Sequence, residues 1–112
     1  RTIYMDAFEF SELVNQQGQS GERYLEFLAV PAMSLGIYSL PAGGVDTQQP
    51  HTEDEIYYIV SGRCTMSVDG EDRPLEPGSV VFVAARVEHR FHTITEDMNI
   101  LVVFAPARRS QA

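Results

Sequence analysis

The chain contains no lysine, and all eight of its basic residues are arginines. That excludes a Schiff-base or PLP-linking lysine and the lysine of a Walker-type phosphate loop. Cysteine occurs once, at Cys64, so an internal disulfide and a multi-thiolate zinc or iron–sulfur site are excluded as well. Its place in an alternating apolar run reads as core packing. No unbroken apolar run reaches the roughly 20 residues that a membrane helix needs. No charged n-region, apolar h-region and small-residue cleavage site open the chain. The expectation is a soluble, cytoplasmic protein with no membrane partner. Eight basic against 16 acidic residues give a net charge of −8, which repels a phosphate backbone, so nucleic acid is excluded as a partner.

What is present is apolar residues in short runs. The 112 residues suffice for one hydrophobic core, and hence for one domain. Near the N-terminus Phe10, Leu13 and Val14 have helical spacing, and Gly18 and Gly21 are expected to break the helix. After Gly21 the pattern changes to runs rich in Val, Ile, Tyr and Phe, punctuated by Gly, Pro and Asp. These runs are Tyr24–Val30, Met33–Leu40, Glu55–Val60, Arg63–Val68, Ser79–Val83, His89–Thr95 and Met98–Phe104, with a short one at Arg73–Leu75. Asp69-Gly70 is the strongest hairpin signal, because glycine tolerates the positive φ of a tight primed turn. Short strands with no helix long enough to cover an open sheet point to an all-β barrel or sandwich that closes on itself. The expected division is an N-terminal segment with a short helix or turn over 1–23, a barrel over 24–106 and a frayed tail over 107–112, with Arg108 and Arg109 solvated.

Gln49, His51 and Glu55 lie two and four residues apart. In an extended chain that parity sends all three to one face. Glu55 opens a run whose same-face neighbours are Tyr57 and Ile59, so its carboxylate is aimed into an apolar interior. That is costly unless a cation meets it. No lysine is available and no nearby arginine is suitably placed, whereas a metal ion resolves the conflict. His89 shares its face with Phe91 and Thr93 and is placed to supply a further ligand from across the barrel. His92 and Arg90 fall on the opposite face and are set aside. Glu53 reads as a solvated loop acid, and Met66, Phe82, Met98 and Phe104 as apolar lining. Tyr57, inward beside the site, reads first as core packing, with substrate positioning or proton donation as its functional alternative.

The stretch from Gly43 through Gln49, His51 and Glu55 to Gly62 resembles the first cupin motif, G-x5-H-x-H-x3-E-x6-G, with every interval kept. The stretch Gly78, Ala84, Arg86, His89, Thr93 matches the spacing of the second motif, G-x5-P-x-G-x2-H-x3-N. The departures are Gln49 at the first histidine, Ala84 and Arg86 at Pro and Gly, and Thr93 at Asn. The resemblance covers roughly residues 33 to 105 of this chain. It implies a small single-domain cupin: a double-stranded β-helix, or jelly-roll-like barrel, with ligands projecting inward.

Two histidines and a carboxylate form a mixed N/O site suited to one divalent transition metal, Fe, Mn, Ni or Zn, with open coordination positions. The metal set is Gln49, His51, Glu55 and His89, and the catalytic candidates are Glu55 and Tyr57. The first functional expectation is a mononuclear-metal enzyme of oxygenase or dioxygenase type acting on a small molecule. Its alternatives are a non-redox isomerase, cyclase or lyase, and a non-enzymatic module that binds a small ligand. An unpaired edge at Tyr24–Val30 would invite pairing, so a homodimer is expected.

Overall fold

The computed structural model describes residues 4–109. Helix α1 (Phe10–Ser20) is followed by β1 (Tyr24–Val30), β2 (Met33–Leu40), β3 (Asp54–Ser61), β4 (Cys64–Val68), β5 (Glu71–Leu75), β6 (Val80–Val83), β7 (His89–His92) and β8 (Met98–Ala105). The helix runs through Gly18 and stops at Gly21, which takes the left-handed conformation at φ 73°. An interior glycine costs a helix only about 1 kcal/mol relative to alanine, whereas a left-handed residue after the last turn ends it. Strand β7 stops three residues short of the apolar run because Thr93 turns left-handed at φ 51°.

The strands form two antiparallel sheets, ordered β1-β2-β8-β3-β6 and β5-β4-β7. The arrangement is the closed all-β fold expected from the run pattern, in the jelly-roll form that the cupin resemblance implies. Alternation along the strands decides what faces the space between the sheets. On β3, Glu55, Tyr57 and Ile59 are buried while Ile56 and Tyr58 are each 41% exposed. On β8, Met98, Ile100, Val102 and Phe104 point inward, where they meet Met66, Cys64 and Phe91 from the smaller sheet. Complete burial of a side chain such as Ile59 or Ile100 contributes about 1.5–3 kcal/mol. Phe82 departs from its expected place in the lining: Val83 is the buried residue of β6, so Phe82, one position away, is turned out and 61% exposed.

Two glycines are required by close approach. At Gly36 a Cβ would drive into the ring of Tyr24, which lies across β2. Gly62, at φ 95°, brings the β3–β4 corner against the backbone of Asp97 and Met98. The Asp69-Gly70 hairpin forms as expected between β4 and β5, with both residues at positive φ, 50° and 81°.

Candidate metal centre

Strand β3 carries Glu55 and Tyr57 on its inner face, and β7 carries His89 on the facing sheet. His51 precedes β3 by one turn of irregular chain. The side chains of His51, Glu55 and His89 converge, each offering a ligand atom within 4.8 Å of the others. His51 Nδ1 is 2.7 Å from Glu55 Oε1, and His89 Nε2 is 3.4 Å from the same oxygen. Both Glu55 and His89 are 1% exposed in their side chains.

The hydrogen bonds around His89 fix how its ring is used. Its Nδ1 lies 2.8 Å from the carbonyl of Val87. A carbonyl only accepts, so Nδ1–H donates and the lone pair of the neutral ring sits on Nε2. Tyr57 Oη is 2.9 Å from that Nε2 and donates to Gln48 Oε1 at 3.0 Å. Gln48 Nε2 donates to Asp46 Oδ2 at 2.7 Å, which turns the amide oxygen toward Tyr57. The phenol has one proton for two acceptors, Gln48 Oε1 and His89 Nε2, and a cation on Nε2 would leave that proton to Gln48. Glu55 Oε2 is buried with no partner. A buried unpaired polar atom costs about 1–3 kcal/mol, and more when charged.

This unmatched acceptor, beside the His51 and His89 imidazoles, makes a donor set that fits a divalent ion. A backbone carbonyl orienting the far nitrogen of a ligating histidine is the usual supporting arrangement. His51, Glu55 and His89 would hold the ion. Burial, then the negative charge of Glu55, pushes the Tyr57 phenol well above its ordinary range. Tyr57 therefore keeps its proton and acts as a donor.

The loop that carries His51 is tied to the second motif through the main chain. Arg86 N–H donates to the His51 carbonyl at 2.7 Å. Arg86 adopts φ 65°, so it takes up the left-handed conformation for which the family pattern has glycine.

Residues 41–53 contain no strand, so strand parity does not extend from Glu55 back to Gln49. Gln49 is exposed, and the amide that reaches Tyr57 belongs to Gln48. Glu53, expected in solvent, is 2% exposed, and the Thr52 hydroxyl donates to its carboxylate. His92 lies on the outer side of β7, with Nε2 3.1 Å from Asp72 Oδ1. Asp46 was missed in the sequence. It is 7% exposed, and it accepts from the Tyr38 hydroxyl at 2.6 Å, the Gln48 side chain at 2.7 Å and Phe91 N–H at 2.9 Å. It thereby fixes Gln48 relative to β7. The residue sits in irregular chain, where periodicity carries no signal.

A cavity of about 370 Å³ opens above the cluster, walled by Tyr24, Tyr38, Gln48, His51, Tyr57 and Phe104 among others. His51 packs edge-on against Phe104, with ring centroids 4.9 Å apart.

A two-sheet barrel with two imidazoles and a carboxylate on its inner wall defines a cupin. A family model described as the cupin domain matches residues 36–104, and the chain belongs to that family. It is 46% identical over 102 residues to the uncharacterized protein SCO3923 of Streptomyces coelicolor, a match covering 91% of this chain and 97% of that one. A shorter stretch of 58 residues is 34% identical to an acireductone dioxygenase of Bacillus cytotoxicus, covering 47% of this chain and 34% of the enzyme. Among solved structures, TT1209 from Thermus thermophilus superposes with a TM-score of 0.72 at 23% identity, covering 92% of this chain and 99% of that one. KdgF from Halomonas sp. gives a TM-score of 0.69 at 23% identity, covering 80% and 82% respectively. At such identities these two structures establish the fold. No helix among the described residues is long and apolar enough to cross a membrane.

Proposed function

We propose that this cupin is a mononuclear-metal enzyme acting on a small organic molecule, of the oxygenase type. The observation that carries the reading is the buried, unmatched Glu55 Oε2 where the His51 and His89 imidazoles converge. Two histidines and one carboxylate with open positions are the donor set of non-haem Fe(II) oxygenases. A bound divalent ion supplies Lewis-acid polarisation of a substrate oxygen and, when it is Fe(II), the electrons that dioxygen chemistry requires. The protein's own residues orient and exclude. Val87 holds the His89 ring, Asp46 and Gln48 hold Tyr57, and Phe104 packs against the His51 ring. The local similarity to an acireductone dioxygenase supports the oxygenase reading.

A second reading keeps the metal and omits oxygen: an isomerase, cyclase or lyase in which Tyr57 donates a proton. It is favoured by the raised Tyr57 phenol, which lines the cavity and stays protonated at neutral pH. Elemental analysis of the untreated protein, followed by oxygen uptake after restoring that metal, separates the two. Oxygen consumption that needs Fe(II) and disappears on chelation supports the oxygenase; turnover with zinc under anaerobic conditions selects the second. A homodimer belongs to the same proposal. Strand β1 stands at a sheet edge, and the outer face at the opposite edge exposes Val80 and Phe82 by 65% and 61%.

A further inference from the structure

A chain of net charge −8 places three of its seven described arginines, Arg23, Arg108 and Arg109, around the mouth of the cavity above His51. Among the described residues Glu22 is the one acid lining it. Arg63, by contrast, is neutralised by Glu76 and Glu96 at 3.0 and 3.5 Å. Arg108 has no such partner among the described residues. It is also not frayed, as its position near the chain end suggested. Its backbone N–H donates to Ser34 Oγ at 2.8 Å, and its guanidinium lies 4.7 Å from the Tyr24 ring centroid and 6.0 Å from that of Phe104. Phe104 is the ring against which His51 packs. One aromatic side chain therefore separates a positioned guanidinium fork from a candidate metal ligand.

The geometry points to an organic acid as the substrate, its carboxylate gripped by Arg108 at the cavity mouth and its other end directed at His51, Glu55 and His89. This rests on the proposed site for the placing of the reacting end, but not for the grip itself. A guanidinium stacked on aromatic rings and free of a protein carboxylate has its planar fork available for bidentate pairing. Tyr24 adds a second, independent sign. Its hydroxyl is buried without a partner, and its side chain lines the same cavity. Burial holds the phenol well above its ordinary range, so it remains a donor seeking an acceptor oxygen. Arg23 has one arm committed, Nη1 donating to the Val45 carbonyl at 2.6 Å, and so contributes mainly charge. The buried carboxylates of Asp46 and Glu55 beneath the cavity disfavour a dianion such as phosphate and favour a single carboxylate carried on an apolar body.

The test is calorimetric titration of the metal-free protein with butyrate, with butyramide and inorganic phosphate as controls. Butyrate is expected to bind, with an affinity that falls as salt is added, and neither control should match it. Arg108→Met should weaken butyrate at least tenfold. Arg108→Lys, which keeps the charge and loses the fork, should weaken it severalfold and serves if the Met variant fails to fold. Arg90→Met, altering an exposed arginine on the outer face of β7, should change nothing. Equal binding by wild type and both Arg108 variants overturns the inference, as does butyramide binding as well as butyrate, or phosphate binding in its place. Equilibrium dialysis with Fe(II) or Zn(II) reads the metal separately. Arg108-dependent butyrate binding without metal uptake defeats the proposed function alone, and metal uptake without butyrate binding defeats this inference alone.

Discussion

Replacing Glu55 by glutamine changes one atom and removes one charge at the centre of the cluster, and its consequences differ with and without metal. In the metal-free protein the wild-type carboxylate gains from His51 at 2.7 Å but leaves Oε2 buried and unmatched. Hydrogen bonds to a charged group contribute about 1.5–3 kcal/mol, and the unmatched oxygen costs about 1–3 kcal/mol. These offset, so Glu55→Gln should shift metal-free stability by no more than about 1 kcal/mol in either direction. Metal binding breaks the balance. An ion present at a hundred times its dissociation constant stabilises the folded state by about 2.7 kcal/mol. For a chain of 112 residues, an unfolding entropy of about 0.24 kcal/mol/K converts this to a rise of about 11 °C in melting temperature. Differential scanning calorimetry of both proteins, each with and without Fe(II) or Zn(II), reads the four values directly. The wild type should gain most of that rise and Glu55→Gln little of it. A variant that gains as much as the wild type, or a wild type that gains nothing, would refute the assignment of Glu55 as the anionic ligand.

Three further outcomes concern Arg86 and Cys64. Arg86, at φ 65°, should tolerate glycine within about 1 kcal/mol, whereas Arg86→Val, with a branched β-carbon in a left-handed site, should cost about 1–2 kcal/mol in urea denaturation. Cys64 is pushed up to about 11 from 9.0 by burial, with Asp46 adding to the shift. Between those values the unfolded chain has lost a proton that the fold retains, so stability should fall as pH rises through about 9 to 11. At pH 8 a disulfide reagent should label Cys64 in the native protein far more slowly than in urea, and equal rates would contradict the burial.

Strand parity served the sequence reading on β3 and β7. Glu55, Tyr57, His89 and Phe91 were placed on inner faces by a two-residue period, and all four are buried. The reasoning failed where the chain is irregular. Gln49 and Glu53 precede β3, so side-chain direction there is set by particular bonds, Gln48 to Tyr57 and Asp46, and Thr52 to Glu53. Phe82 failed because the short run Ser79–Val83 is apolar on both faces, and composition alone does not say which side is inside. Arg108 was assigned to solvent from its place near the end of the chain. Its contacts with Ser34 and Tyr24 join positions 74 residues apart or more, a relation no local pattern encodes.

The bond from Arg86 N–H to the His51 carbonyl uses main-chain atoms only. It ties the segment bearing one imidazole to the turn leading into the strand bearing the other, whatever side chains stand at either position. The walls of the centre are thus secured independently of its donors. An engineer can exchange the residues at 51, 55 or 89 to recruit a different ion, or none, and expect the receptacle to keep its shape.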